Sequence, residues 1–272
     1  MTVINTNVKS LIAQQALAVN NRGLSKAMEQ LSTGKRINSA ADDAAGLAIA
    51  NKMTAQIRGL NQAVRNANDA ITMIQTTEGA LDEVTNMLQR MRELAVQSVN
   101  GTNSSADRVS LDNEYDALFA EIIRISDKTT WNGMEVAASN VSYSFQVGPG
   151  SSDTVTVTAL DVSGMNGVSD ISAGGVSTAA LAASTIAHVD NALSAVNAYR
   201  GSLGAMVNRL TYAADNLTNV STNTAASRSR ILDADYAQAT TELAKRQIIQ
   251  QAATAMLAQA NQSPASVLSL LQ

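Results

Sequence analysis

The 272-residue sequence contains no cysteine, two prolines, one histidine, one tryptophan and two phenylalanines. Without a thiol there is no disulfide, no thiolate metal site and no cysteine nucleophile. The single histidine, His188, allows neither a zinc cluster nor an imidazole relay. Aromatic residues make up only 3%, so a thick core built on large rings is not expected. Charged residues are 15%, against ~25% in an average domain. The net charge of −4 gives no general attraction to nucleic acid or to an anionic membrane. A surface this poor in charge suits one that something else covers. No apolar run approaches the ~18 residues of a membrane span. The start, MTVINTNVKSLIAQQALAVNN, has one Lys and recurring polar residues, so no cleavable signal is expected.

What the sequence has instead is alanine, 46 residues of it, with 23 asparagines. Apolar content carried by Ala, Leu, Val, Ile and Met suits helix-on-helix packing. At ~150 residues per domain, the length suggests roughly two domains. The prolines stand at 149 and 264, leaving long stretches free to be helical. Apolar spacings of 3, 4 and 7 predict a first helix over about 5–31, stopped at Gly34. Asp42 and Asp43 then offer an N-cap to a segment over about 43–99. If continuous, it would reach ~84 Å and call for a coiled-coil or rod-like reading. A third helix is predicted over about 105–128, after the turn cluster at 100–105.

The centre changes character. Val141, Tyr143, Phe145 and Val147 alternate with polar residues, as Val155 and Val157 do with threonines, and Gly148-Pro149-Gly150 separates the two runs. This predicts a β-hairpin, part of a β element at about 134–160, followed by a Gly/Ser-rich loop over 161–177. Between 129 and 199 there is no Lys or Arg. Helical spacing returns near 178 with a 4–3 alternation from Val189 to Leu217, broken only by Arg200. Asn219 to Thr224 reads as a weak break, and Ser263-Pro264 as the end of the last helix. The expected fold is mainly α: a long antiparallel helical bundle or coiled coil with a small β-hairpin in the middle.

Catalytic chemistry has little support. His188 is isolated, and no nucleophile elbow or phosphate-cradling glycine loop occurs. The pairs Asp42-Asp43 and Asp233-Ala234-Asp235 are better explained as helix caps than as cation ligands. No enzyme activity, cofactor or metal is expected.

The long motifs at both ends resemble bacterial flagellins. They are INTNVKSLIAQQAL, LSTGKRINSAADDAAGLAIANKM and QTTEGALDEVTNMLQRMRELAVQSVNGTNS near the start, and SRILDADYAQATTELAKRQIIQQAATAMLAQANQSPASVLSLLQ at the end. The resemblance covers about 1–135 and 178–272, and the short middle implies a compact form without outer domains. It implies that 1–42 and 221–272 pair as helices lining an inner tube, and that 43–220 forms a helical bundle with the β element. It further implies a structural subunit exported unfolded through the flagellar secretion channel, with an export apparatus, an export chaperone and a filament cap as partners. The subunit would polymerise into an extracellular helical filament, with no nucleic acid and no membrane insertion.

On the third run, Arg90, Glu93, Leu94 and Gln97 fall near one helix face, beside Gln89. With Glu114 they resemble the surface by which flagellin subunits stack, which is also the patch read by the vertebrate Toll-like receptor for flagellin. The apolar tail, Val267, Leu268, Leu270 and Leu271, would pack in the tube and be read by inflammasome sensors. The competing readings are a hook–filament junction protein of similar architecture, and a secreted helical translocator, which would need a hydrophobic hairpin the sequence lacks.

Overall fold

A computed structural model describes residues 6–138, 140–165, 167–172 and 174–269. Six helices dominate the described residues: α1 (Val8–Thr33), α2 (Ala44–Val99), α3 (Ser105–Lys128), α4 (Val168–Ile171), α5 (Ala179–Leu232) and α6 (Tyr236–Ser269). Two small antiparallel strand pairs lie between α3 and α4: β1 (Thr130–Trp131) with β2 (Met134–Glu135), and β3 (Ser142–Gln146) with β4 (Thr154–Thr158). The fold is mainly α with a small β-hairpin, as composition and spacing predict. The chain divides into two compact units, Met1–Ile57 with Thr222–Gln272, and Arg58–Ser221.

In the first unit α1 and α6 pair antiparallel. Gly34, at φ 68°, ends α1 in the left-handed conformation that a residue without Cβ adopts freely. The backbone just beyond it is tied to the α5–α6 junction: Arg36 N donates to Leu232 O at 2.7 Å, and Ala234 N to Gly34 O at 3.0 Å. Asparagines set the pairing further along. Asn20, only 3% exposed, donates to the Arg246 carbonyl at 2.9 Å, and Asn7 to the Ala260 carbonyl at 2.8 Å. Asp43 accepts from Gly46 N at 2.8 Å and caps α2. Asp42 lies 2.6 Å from Lys26; that ammonium, with the Ser39 and Asn38 N–H groups, holds its carboxyl well below the usual range. A carboxyl depressed in this way adds stability above its unfolded pKa and loses that contribution as pH falls through its folded one.

In the second unit α2 and α5 run antiparallel, with α3 beside α2. Asn61 accepts from Ser221 at 2.9 Å, and 31 positions on along α2 Arg92 pairs with Asp190, 31 positions back along α5. Val189, Val196, Leu203 and Leu210 are buried at every seventh position of α5. Arg200, the exception in that seam, lies 3.1 Å from Asp82 and 3.8 Å from Glu78 of α2. The segment 174–176 is tied to three helices. Ser98 of α2 donates to Val176 O at 2.5 Å, Asp112 of α3 accepts from Val176 N at 2.6 Å, and Thr185 of α5 donates to Gly175 O at 2.9 Å.

Four details depart from the sequence reading. The weak break at 219–224 is helix within α5, because the Ser221 hydroxyl finds a side-chain partner on α2 and Thr218 bonds back to Ala214 O. The last helix does not stop at Ser263-Pro264 but runs to Ser269. Proline has no N–H, which leaves the Ala260 carbonyl without its helical donor; Asn7 supplies one. The expected loop over 161–177 contains α4. A further small turn, Asn132-Gly133, closes β1 on β2 with φ of 50° and 77°, the pairing that an Asn-Gly turn favours.

Gly167, the N-cap of α4, has φ 93° and lies against the α5 backbone; a Cβ there would stand 2.5 Å from Ala192 N. Gly167→Ala is expected to destabilise the second unit by at least ~1–3 kcal/mol. By contrast Gly79→Ala, inside α2 with open space at the Cβ, should stabilise by ~0.5–1 kcal/mol. Thermal unfolding of the two variants checks the opposite signs.

Candidate functional site

The helical phase of α2 decides what its middle can present. Leu88, Met91, Leu94, Ala95 and Ser98 are all 0% exposed and share one face. The opposite face carries Gln89, Arg92, Glu93, Val96 and Gln97, which line a shallow groove of about 470 Å³. Of the expected patch residues, Gln89, Glu93 and Gln97 are therefore brought together at the surface. Leu94 is not: it points into the core, three residues on from Met91. Val96, 50% exposed, is the apolar residue that the groove offers.

Arg90 stands at the groove's edge and joins the remaining members. Its Nη1 donates to Glu93 at 2.9 Å, and its Nε donates to Glu114 of α3 at 2.9 Å. Glu93 first, then Glu114, raise the Arg90 pKa. Next to it Arg92 donates to Asp190 of α5 at 2.6 Å, and that carboxylate raises the Arg92 pKa likewise. These partly exposed pairs add little stability. Their effect is geometric: two fixed guanidiniums hold the side chains at one end of the groove. The sequence reading does not single out Arg92 and Val96 as site residues, although the 3–4 spacing of Gln89, Arg92 and Val96 in the same run marks the outward stripe.

Beyond the groove, Asn100 N and Asn103 Nδ2 donate to the Gln97 carbonyl at 3.2 and 2.6 Å and close the end of α2. Ser104 and Asp107 form a reciprocal cap at the start of α3.

A second exposed surface lies in the first unit. Leu11, Ile12 and Val19 of α1 and Ile248 and Met256 of α6 are each about half exposed or more. Between the helices runs a groove of about 420 Å³, with Ile12, Ala16, Ile249 and Met256 in its wall. The seam carries Ser10, Asn20 and Ala27, buried, with Leu17, Leu24 and Leu31 half-buried between and after them, while other large apolar side chains face outward. A pair of helices that also exposes large apolar residues on its outer face is shaped to be covered by other helices. In the tail, Val267 and Leu268 belong to the last turn of α6, and Leu270 and Leu271 lie outside the described residues.

The paired carboxylates are occupied in capping and tying. Asp235 accepts from Ala237 N at 2.9 Å at the start of α6, and Asp233 accepts from Ser229 Oγ at 2.6 Å. His188 Nδ1 stands 3.8 Å from Asp170 Oδ2.

Comparison with known proteins agrees with this architecture. Residues 4–141 match the family model of the bacterial flagellin N-terminal helical region, and residues 186–271 that of the C-terminal helical region. The chain is 46% identical over 273 residues to a flagellin of Halalkalibacterium halodurans, covering 99% of this chain and 100% of that one. It is 40% identical over 286 residues to flagellin FlaB1 of Treponema pallidum, covering 99% and 100%. Among solved structures, Bacillus cereus flagellin superposes with a TM-score of 0.50 at 33% identity, over 60% of this chain and 94% of that one. A flagellar hook-associated protein from Vibrio parahaemolyticus shares the fold, with a TM-score of 0.60 at 14% identity, over 71% and 100%.

The burial of Leu94 has a direct test. Leu94→Ala is expected to lower stability by ~2–5 kcal/mol in urea unfolding. Gln89→Ala and Val96→Ala, on the exposed face, should stay within about 0.5 kcal/mol. Equal losses at all three positions would place Leu94 outside the core.

Proposed function

Because the chain belongs to the bacterial flagellin family, and is therefore a structural subunit assembled in many copies into the flagellar filament, we propose that it polymerises at the filament's growing tip, outside the cell. It reaches that tip unfolded through the flagellar secretion channel, with the export apparatus, an export chaperone and the filament cap as partners. A chain without cysteine has no disulfide to break before threading. No helix among the described residues is long and apolar enough to cross a membrane.

The observation that carries self-polymerisation is the outward apolar surface of α1 and α6. One subunit alone leaves that surface in water, whereas neighbours bury it. Head-to-tail contacts that do not close into a ring give an open helical filament. In this reading 1–42 and 221–272 line the inner tube and 43–220 forms the shell around it. The tail with Val267, Leu268, Leu270 and Leu271 packs in the tube and is what inflammasome sensors read.

The α2 groove is the second contact. Gln89, Glu93 and Gln97, with Arg90 and Glu114 at the edge, form the surface for stacking along a protofilament and for the vertebrate Toll-like receptor. Leu94 acts from behind, by holding the backbone that displays them.

Two measurements test these roles. After salt-induced seeding, electron microscopy should show long tubes, and 1–40 and 225–272 should be protease-sensitive in the monomer and protected in the polymer. Cleavage at equal rates in both states counts against the assembly role of the ends. In a receptor reporter assay the monomer should signal, and Arg90→Ala should reduce the signal while leaving thermal unfolding nearly unchanged; an undiminished signal removes Arg90 from the patch.

A further inference from the structure

The sequence holds three Asn-Gly pairs; Asn166 of Asn166-Gly167 lies outside the described residues, and the other two stand in contrasting surroundings, Asn100-Gly101 after α2 and Asn132-Gly133 in the β1–β2 turn. In such a pair the Gly nitrogen can close on the Asn side-chain carbonyl, because no Cβ obstructs the approach, and asparagine is among the thermolabile residues.

The surroundings of Asn100 favour that closure at each step. Its main-chain carbonyl accepts from Arg108 Nη2 at 3.2 Å and from Asn103 N at 3.3 Å. That oxygen and the Gly101 N–H belong to one peptide group, so a guanidinium on the oxygen draws charge away and eases loss of the proton. The Asn100 Oδ1 accepts from Thr102 N at 3.4 Å, which puts a donor where negative charge develops during attack. Gly101 is exposed, with open space where a Cβ would stand, so water has access. Gly133 is as exposed and as open at its Cβ as Gly101, but the Asn132 turn has, among the described residues, no counterpart of the Arg108 and Thr102 donors. The φ of Asn132 is 50°, and its turn is held between the paired residues Trp131 and Met134, so the pairing must open before a ring can form.

We propose that Asn100 is a modification site at which the folded chain promotes its own deamidation. The Gly101 N–H gives its proton to water or hydroxide, and the nitrogen bonds to Asn100 Cγ. The Cγ–Nδ2 bond breaks, and the amide nitrogen leaves as ammonia after taking up a proton. Water then opens the five-membered imide at either carbonyl, leaving aspartate or isoaspartate at position 100. No electron transfer is involved, and water is the only co-reactant. The new carboxylate stands at the C-terminal end of α2, where the helix dipole disfavours negative charge. It also lies at the lip of the α2 groove, since Asn100 N and Asn103 Nδ2 both donate to the Gln97 carbonyl.

The test is ageing of the full-length, unassembled protein at mildly alkaline pH, read by peptide mass mapping with ammonia and isoaspartate assays. In the folded protein Asn100 should convert several-fold faster than Asn132, and in denaturant the two rates should converge. Arg108→Gln should slow Asn100 several-fold and leave Asn132 unchanged; circular dichroism confirms that the variant is folded. Equal folded rates, a faster Asn132, or a folded Arg108→Gln variant with an unaltered Asn100 rate overturns the proposal. If Arg108→Gln does not fold, the folded-against-denatured comparison in the unsubstituted chain decides alone.

Discussion

Register between antiparallel helices is the constraint on which the rest of this structure depends. Ala63, Ala67 and Ala70 of α2 and Ala182 and Ala192 of α5 are fully or almost fully buried. Small side chains let helices approach closely, yet a stripe of them presents little relief to stop one helix sliding along another. Polar groups supply that stop. Asn61 with Ser221, Asp82 with Arg200 and Arg92 with Asp190 keep step along the whole α2–α5 seam. Asn7 and Asn20 do the same for α1 and α6, each reaching a backbone carbonyl that it would lose on sliding by one turn. Individually these contacts are modest in energy. Together they select one alignment from several of similar apolar burial, the role that polar groups serve at helical seams elsewhere.

The same logic sets the α2 groove. Arg90 reaches across to α3 and Arg92 to α5, so the helix is braced on both sides at the level where its outward stripe begins. The core beneath, from Leu88 through Met91 and Leu94, fixes its rotation. What the groove presents is thus a by-product of how firmly α2 is gripped, and a core residue such as Leu94 can influence the surface without reaching it.

Much of this was legible in the sequence. The helix over about 43–99 follows from uninterrupted 3–4 spacing and an acidic cap, and the hairpin from two alternating runs around Gly148-Pro149-Gly150. Both readings rest on local rules. The end of α5 and the continuation of α6 do not. Asn219 to Thr224 is a poor helical segment by composition, and only the Asn61 side chain on α2, 160 positions away, gives Ser221 its buried partner. Pro264 is a local stop signal overruled by a donor from the opposite end of the chain. In the patch, the run Gln89–Gln97 is legible, but the phase that buries Leu94 is not. By spacing Leu94 falls beside Arg90, because i and i+4 share a face, whereas burial follows the stripe from Leu88 to Ser98. Only the packed neighbours reveal where such a stripe is centred.

The bond from Asn7 to the Ala260 carbonyl joins residues 253 positions apart. The second unit joins near neighbours, α2 with α3 and β1 with β2, and its longer α2–α5 seam pairs residues 98 to 160 positions apart. The first unit requires that almost the whole chain has already been delivered. Contacts of such long separation form slowly, because the entropy of closing the loop comes before any gain from the contact. The order of folding is therefore written into the topology: the middle can condense first, and the seam between the two ends can close only last. A chain arranged this way keeps its two ends apart for as long as either one is still in transit.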